Sequence, residues 1–160
     1  MERELPNTRR VLLRTAMVMS EDRGGVFDVL SKLTRRGLGG TCGDGRQYVS
    51  WIHGEDFVRT IDWLLAHDEI AGPVNVAAPN PLPYAAFARA LRAAWSVRLG
   101  LPAPAWLLEL GTFVLRTESE LVLKSRRVVP GRLLQAGLPF THPDWPAAAR
   151  DLVARARTRR

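Results

Sequence analysis

Gly43-Asp44-Gly45-Arg46-Gln47-Tyr48-Val49-Ser50-Trp51-Ile52-His53-Gly54-Glu55-Asp56 is the stretch on which the reading of this chain turns. Asp44-Gly45 is a turn dipeptide, because glycine takes a positive φ without a steric penalty. Tyr48, Val49, Trp51 and Ile52 are β-branched or aromatic and suit a short strand. The period then changes. Phe57, Ile61, Leu64 and Leu65 share one helical face, with Arg59, Thr60 and Asp62 off it. His53 and Asp56 stand where that helix starts, and a carboxylate in a first turn meets the positive end of the helix dipole. A turn, a strand and a capped helix start are what these fourteen positions imply.

Upstream, residues 11–19 form an apolar run bracketed by arginines and too short for a firm helix. Such a run suits a strand buried on both faces of a parallel sheet. Helical spacing follows through Val26, Phe27, Val29, Leu30 and Leu33, up to the breaker Gly37-Leu38-Gly39-Gly40. That glycine cluster is read as a loop: Cys42 stands where the third glycine of a dinucleotide fingerprint would fall, and no buried strand directly precedes it. Downstream, residues 72–78 read as a second buried strand. Pro83 is placed to open a helix carrying Phe87, Leu91 and Trp95. Further helical segments are expected at 106–114 and 118–123, then a short one at Arg132-Leu133-Leu134 closed by Gly137. Leu138-Pro139-Phe140 reads as extended, and residues 143–157 as a last helix with Trp145, Ala149, Leu152 and Val153 inward. Strands alternating with helices, followed by a mainly helical rear, give the α/β class.

Composition removes several functions. The 160 residues, 46% of them hydrophobic, can bury one core. No run approaches the roughly 18 apolar residues of a membrane span, and no signal segment opens the sequence. Cys42 is the only cysteine, so no disulfide can form within the chain and a reducing cytoplasm is the expected compartment. The net charge of +7 comes mostly from arginines spread along the chain, without an aromatic-studded basic strand, zinc knuckle or helix-turn-helix pattern; no nucleic-acid partner is expected. His53, His67 and His142 are scattered with no ligand partner at i+3 or i+4, so no metal is expected. There is no G-x-S-x-G or P-loop. Tyr48 and Tyr84 are followed four positions on by Ile52 and Ala88, which excludes a Tyr-x-x-x-Lys pair, and no catalytic residue is assigned.

Several strings, in this order, resemble one family: Leu13-Arg14-Thr15, Gly43-Asp44-Gly45-Arg46-Gln47, Ser50-Trp51-Ile52-His53, Gly72-Pro73-Val74-Asn75, Ala78-Pro79-Asn80-Pro81, and Arg127-Val128-Val129-Pro130 with Leu133-Leu134-Gln135-Ala136-Gly137. They are similar to the C-terminal half of the atypical extended short-chain dehydrogenase/reductases of the NAD-dependent epimerase/dehydratase type. Residues from about Trp95 to Val153 resemble that family's C-terminal domain of unknown function. The resemblance implies the C-terminal part of a Rossmann-like parallel sheet followed by a small helical substrate-side domain. The expected divisions are 8–94, 95–154 and a basic tail 155–160. It also implies that the glycine turn and the Tyr-x-x-x-Lys site belong upstream of this sequence.

The chain alone is therefore expected neither to bind cofactor nor to catalyse. NAD or NADP would belong to the complete parent, with a Rossmann N-terminal half as partner and a small molecule as substrate. By the same resemblance Thr15 is a cofactor contact, and Gln47 and Ser50 face the substrate cleft. In sugar-nucleotide epimerases the corresponding loop carries an arginine that pairs with phosphate; here Val49 stands in its place. Arg46 is either its substitute in substrate binding or a solvated turn residue. A non-catalytic binding or interaction module derived from the same family is the alternative reading.

Overall fold

The computed structural model describes residues 8–41, 43–102, 125 and 127–159. Cys42 and the helices expected at 106–114 and 118–123 lie outside the described residues. In chain order the elements are β1 (Val11–Thr15), β2 (Met17–Met19), α1 (Val26–Arg35), β3 (Tyr48–Val49), β4 (Trp51–His53), α2 (Gly54–Ala66), β5 (Gly72–Val76), β6 (Leu82–Pro83), α3 (Tyr84–Trp95), α4 (Gly131–Gln135) and α5 (Trp145–Thr158).

The apolar run of residues 11–19 is two strands rather than one. β1 lies parallel to β5, with Leu13 opposite Val74, and β2 lies parallel to β4, with Val18 opposite Ile52. Ala16 is the changeover. Its N–H donates to the Val76 carbonyl at 2.9 Å, and the next N–H, of Met17, donates to the Ser50 carbonyl at 3.4 Å. The strand expected over residues 48–52 divides at Ser50 in the same way: β3 pairs antiparallel with β6, while β4 turns to β2. Burial on both faces fails for β1, where Leu12 is 54% and Leu13 39% exposed. Successive side chains point to opposite faces of a strand, so the described residues leave both faces of β1 partly open, with Val11 half-buried against the smaller cluster. Among them its ladder is with β5 alone.

Gly45, at φ 71°, makes the turn that Asp44 opens, and a side chain there would press on Ala85 and Thr41. His53 is the N-cap of α2. The buried stripe of that helix is rotated from the expected one: Asp56, Thr60 and Leu64 are inward, and Leu65 is 70% exposed. Thr60 can be buried because its hydroxyl donates to the Asp56 carbonyl one turn back at 2.6 Å. Pro83 ends β6 as the N-cap of α3 rather than opening its first turn.

Two apolar clusters hold the elements. In the larger, Trp145 of α5 stacks on Phe87 of α3 at 4.1 Å and meets Trp51 of β4 edge-on at 5.0 Å. The indole N–H of Trp145 donates to the Phe87 carbonyl at 3.0 Å, so the ring is buried without an orphaned donor. Burial of a side chain this large contributes at least about 1.5–3 kcal/mol. In the smaller cluster Leu133 of α4 closes over Ile52, Val74 and Val76. Gly137, at φ 85°, lies just past α4, and Arg132 donates to the Ala71 and Pro73 carbonyls at 2.8 Å. Phe87 of α3 and Trp145 of α5 thus lie in the larger cluster, and Val74 and Leu133 in the smaller. Residues 155–158 form the last turn of α5, and Arg159 beyond them pairs with Glu21 and Asp22. No helix among the described residues is long and apolar enough to cross a membrane.

Candidate functional site

A cavity of about 680 Å³ opens at the carboxyl end of β1, where open α/β sheets carry their ligands. Its lining includes Arg14, Thr15, Tyr48, Ser50, Asn75 and Arg127. Two strand ends position the first four of these. The far wall is the segment 127–129, which the strands hold by side-chain bonds. Ser50 Oγ accepts from the Val128 N–H at 2.8 Å, and the Asn75 amide donates to the Val129 carbonyl at 3.5 Å. Tyr48 N–H donates to Ser125 Oγ at 3.1 Å. The Arg127 guanidinium lies 5.1 Å from the centre of the Tyr48 ring, within cation–π range.

Of the residues singled out from sequence, Thr15 and Ser50 line this cavity; Arg46 and Gln47 are not part of its lining. Arg46 is exposed in the turn, its N–H bonded to Asp44 Oδ1 at 3.0 Å. The Gln47 carbonyl accepts from the Tyr84 N–H at 2.8 Å and so serves the start of α3. Sequence reasoning passed over Arg14, Tyr48, Asn75 and Arg127 as site residues. Arg127 lay within a string that carried the family resemblance, but nothing local ties it to Tyr48 across the intervening chain.

A second group of polar residues joins α2 to α5. His53 is buried, and its Nδ1 accepts from the Glu55 N–H at 3.1 Å. The ring proton therefore sits on Nε2, which is 3.2 Å from Asp151 Oδ2. His142 stacks on His53 at 3.9 Å, which corrects the reading of the histidines as scattered. Arg155 bridges the acids, with Nε 2.5 Å from Asp151 Oδ2 and Nη2 2.6 Å from Glu55 Oε2. His53, His142 and Asp151 offer three ligand atoms within 4.8 Å of one another. Arg155 already pairs with Asp151 of this trio, while His53 Nε2 and Asp151 Oδ2 are buried without an aligned hydrogen bond among the described residues.

Burial, reinforced by His142, holds the His53 pKa below its usual value against the pull of Asp151. Hydrogen bonding from Arg155 lowers the pKa of Glu55, and the same bond raises that of Arg155. The cap of α2 is thus His53. Asp56, expected as its companion at the helix start, turns its carboxylate away from the helix and accepts from the Thr141 and His142 N–H groups at 2.8 Å each.

Sequence and fold are both similar to those of known proteins. The chain is 32% identical over 149 residues to the epimerase family protein SDR39U1 of Mus musculus, covering 92% of this chain and 50% of that protein. It is 35% identical over 120 residues to the epimerase family protein YfhF of Bacillus subtilis, covering 75% and 39% respectively. Residues 103–152 match the family described as a domain of unknown function (DUF1731). The fold superposes on the crystal structure of human epimerase family protein SDR39U1 (isoform 2) with NADPH. The TM-score is 0.82 at 29% identity, over 94% of this chain and 51% of that one. The chain belongs to the epimerase family. It corresponds to the C-terminal part of that family's fold and spans about half the length of the curated relatives it matches.

Proposed function

We propose that this epimerase-family chain supplies the substrate side of an NAD(P)-dependent epimerase/dehydratase-like protein and does not catalyse by itself. The observation that carries this reading is the cleft at the end of β1, where Thr15 and Ser50 line one cavity, in a chain whose fold follows that of a human relative crystallised with NADPH. Thr15 is the contact assigned to the nicotinamide side. Ser50 holds the 127–129 segment against the substrate side. Arg46 and Gln47, off the cavity lining, are given supporting roles in the turn before β3.

The described residues fit one side of a dinucleotide only. Gly24-Gly25, which leads into α1, is not a free pyrophosphate cradle: Asp28 Oδ2 already takes the Gly24 N–H at 2.8 Å. When bound in a complete protein, NAD(P) supplies hydride exchange, and this chain's residues bind and orient the substrate beside it. Co-expression with the N-terminal part of a relative such as YfhF tests the proposal. The pair is expected to enhance NADPH fluorescence saturably and the chain alone at most weakly. Tight NADPH binding by the chain alone, or none by a well-formed pair, would overturn it.

A further inference from the structure

We infer that the cleft is an oxyanion site in which Arg127, aided by Arg14, receives a carboxylate or phosphate group of the substrate; the inference rests on the substrate-side reading above. Position 49, where sugar-nucleotide epimerases carry a phosphate-binding arginine, is a buried valine on β3. Arg46, the substitute that the sequence suggests, is outside the cavity lining. The structure brings two other guanidinium groups to the cavity, and no aspartate or glutamate is among the described residues that line it. In a partly enclosed groove with cations and no counter-charge among the described lining residues, the field favours an anionic ligand. A volume of about 680 Å³ suits a small molecule.

Arg127 is also held for the purpose. The bonds from Val128 N–H to Ser50 Oγ and from the Asn75 amide to the Val129 carbonyl fix the backbone that carries it. The Tyr48 ring restrains its guanidinium without neutralising the charge. A restrained guanidinium loses less freedom on forming a two-point bond to a carboxylate or phosphate, and it presents the planar fork such groups match.

Equilibrium dialysis of the 160-residue chain against inorganic phosphate at fixed ionic strength tests this. One saturable site per chain is expected. Arg127→Gln should weaken it about tenfold or more. Arg127→Lys, which keeps the charge but loses the fork, should fall between, and Arg89→Gln on the exposed side of α3 should match the parent. Whichever of malonate and inorganic pyrophosphate displaces phosphate at the lower concentration names the group. Equal affinity in the Arg127→Gln chain, shown folded by circular dichroism, or only unsaturable uptake, overturns the inference. Its failure is distinct from that of the parent reading. A reconstituted pair that binds NADPH, with phosphate indifferent to Arg127, removes the oxyanion site alone; a pair that fails to bind NADPH removes the parent reading alone.

Discussion

His53 shows how a single side chain is fixed by its neighbours on both ring nitrogens. Nδ1 accepts the Glu55 N–H at the start of α2, and Nε2 lies 3.2 Å from Asp151 Oδ2 without an aligned hydrogen bond. Protonation would place a proton on Nδ1 against the Glu55 N–H, in a buried position beside a stacked histidine. The pKa of His53 is therefore lower in the folded chain than its ordinary value of 6.5. The unfolded chain then binds the proton more readily than the folded one, so stability rises with pH through this range and is lost as pH falls below 6.5. Glu55 acts separately: its lowered pKa contributes stability that is lost only as pH falls below about 4.5. Urea midpoints between about pH 7 and 5 should decline in the parent and stay nearly flat in His53→Asn, since asparagine keeps a capping oxygen but does not titrate. An equal decline in both would remove His53 as its source.

Between elements, the link with the largest expected effect is Asp56, on α2, holding the loop that leads into α5. Asp56 is 2% exposed, and its carboxylate takes two backbone N–H groups from outside its own helix. A simple helix-start residue would be worth about 1 kcal/mol. A buried carboxylate bonded twice should be worth more, and Asp56→Ala is expected to destabilise by about 3 kcal/mol by urea unfolding. Asp56→Asn, which keeps one acceptor, should lie between. A loss of about 1 kcal/mol or less for Asp56→Ala would return Asp56 to the cap role. Sequence period revealed α1, α2, α3 and α5 because each has an apolar stripe that recurs locally. It could not reveal where residues 11–19 and 48–52 divide, because Ala16 and Ser50 become boundaries only when partners from distant segments arrive. The same holds for the cavity: Thr15 and Ser50, which line it, were singled out only through strings that resemble a family. Arg127 over Tyr48 and His142 on His53 are meetings across the fold that no local pattern encodes.

For the molecule as a whole, β1 sets the balance between folding alone and needing a companion. Its hydrogen-bonded ladder joins β5, and none of the other described residues pairs with it. Leu12 and Leu13 expose apolar surface on opposite faces of the same strand. An edge of this kind is a template for strand addition and, without its intended neighbour, for self-association. The net charge of +7 opposes association over distances of about 10 Å, but a strand that pairs through backbone bonds and buries leucines acts at contact, where that long-range repulsion is the smaller term. The chain alone is therefore expected to sediment as a mixture of oligomers, and Leu12→Lys with Leu13→Lys to shift it toward monomer, as charged edge residues do in natural sheets. The same double substitution should weaken pairing with the N-terminal part of a relative, because it disrupts the surface that both kinds of association use. Amide exchange supplies the decisive reading. If the parent chain is a monodisperse monomer and the amides of β1 exchange slowly, the strand is already covered on its own and does not recruit another part of the sheet. Fast exchange in the monomer fraction, slowed when the companion is added, is the expected result, because the backbone donors of an uncovered edge are protected only once the companion's ladder forms.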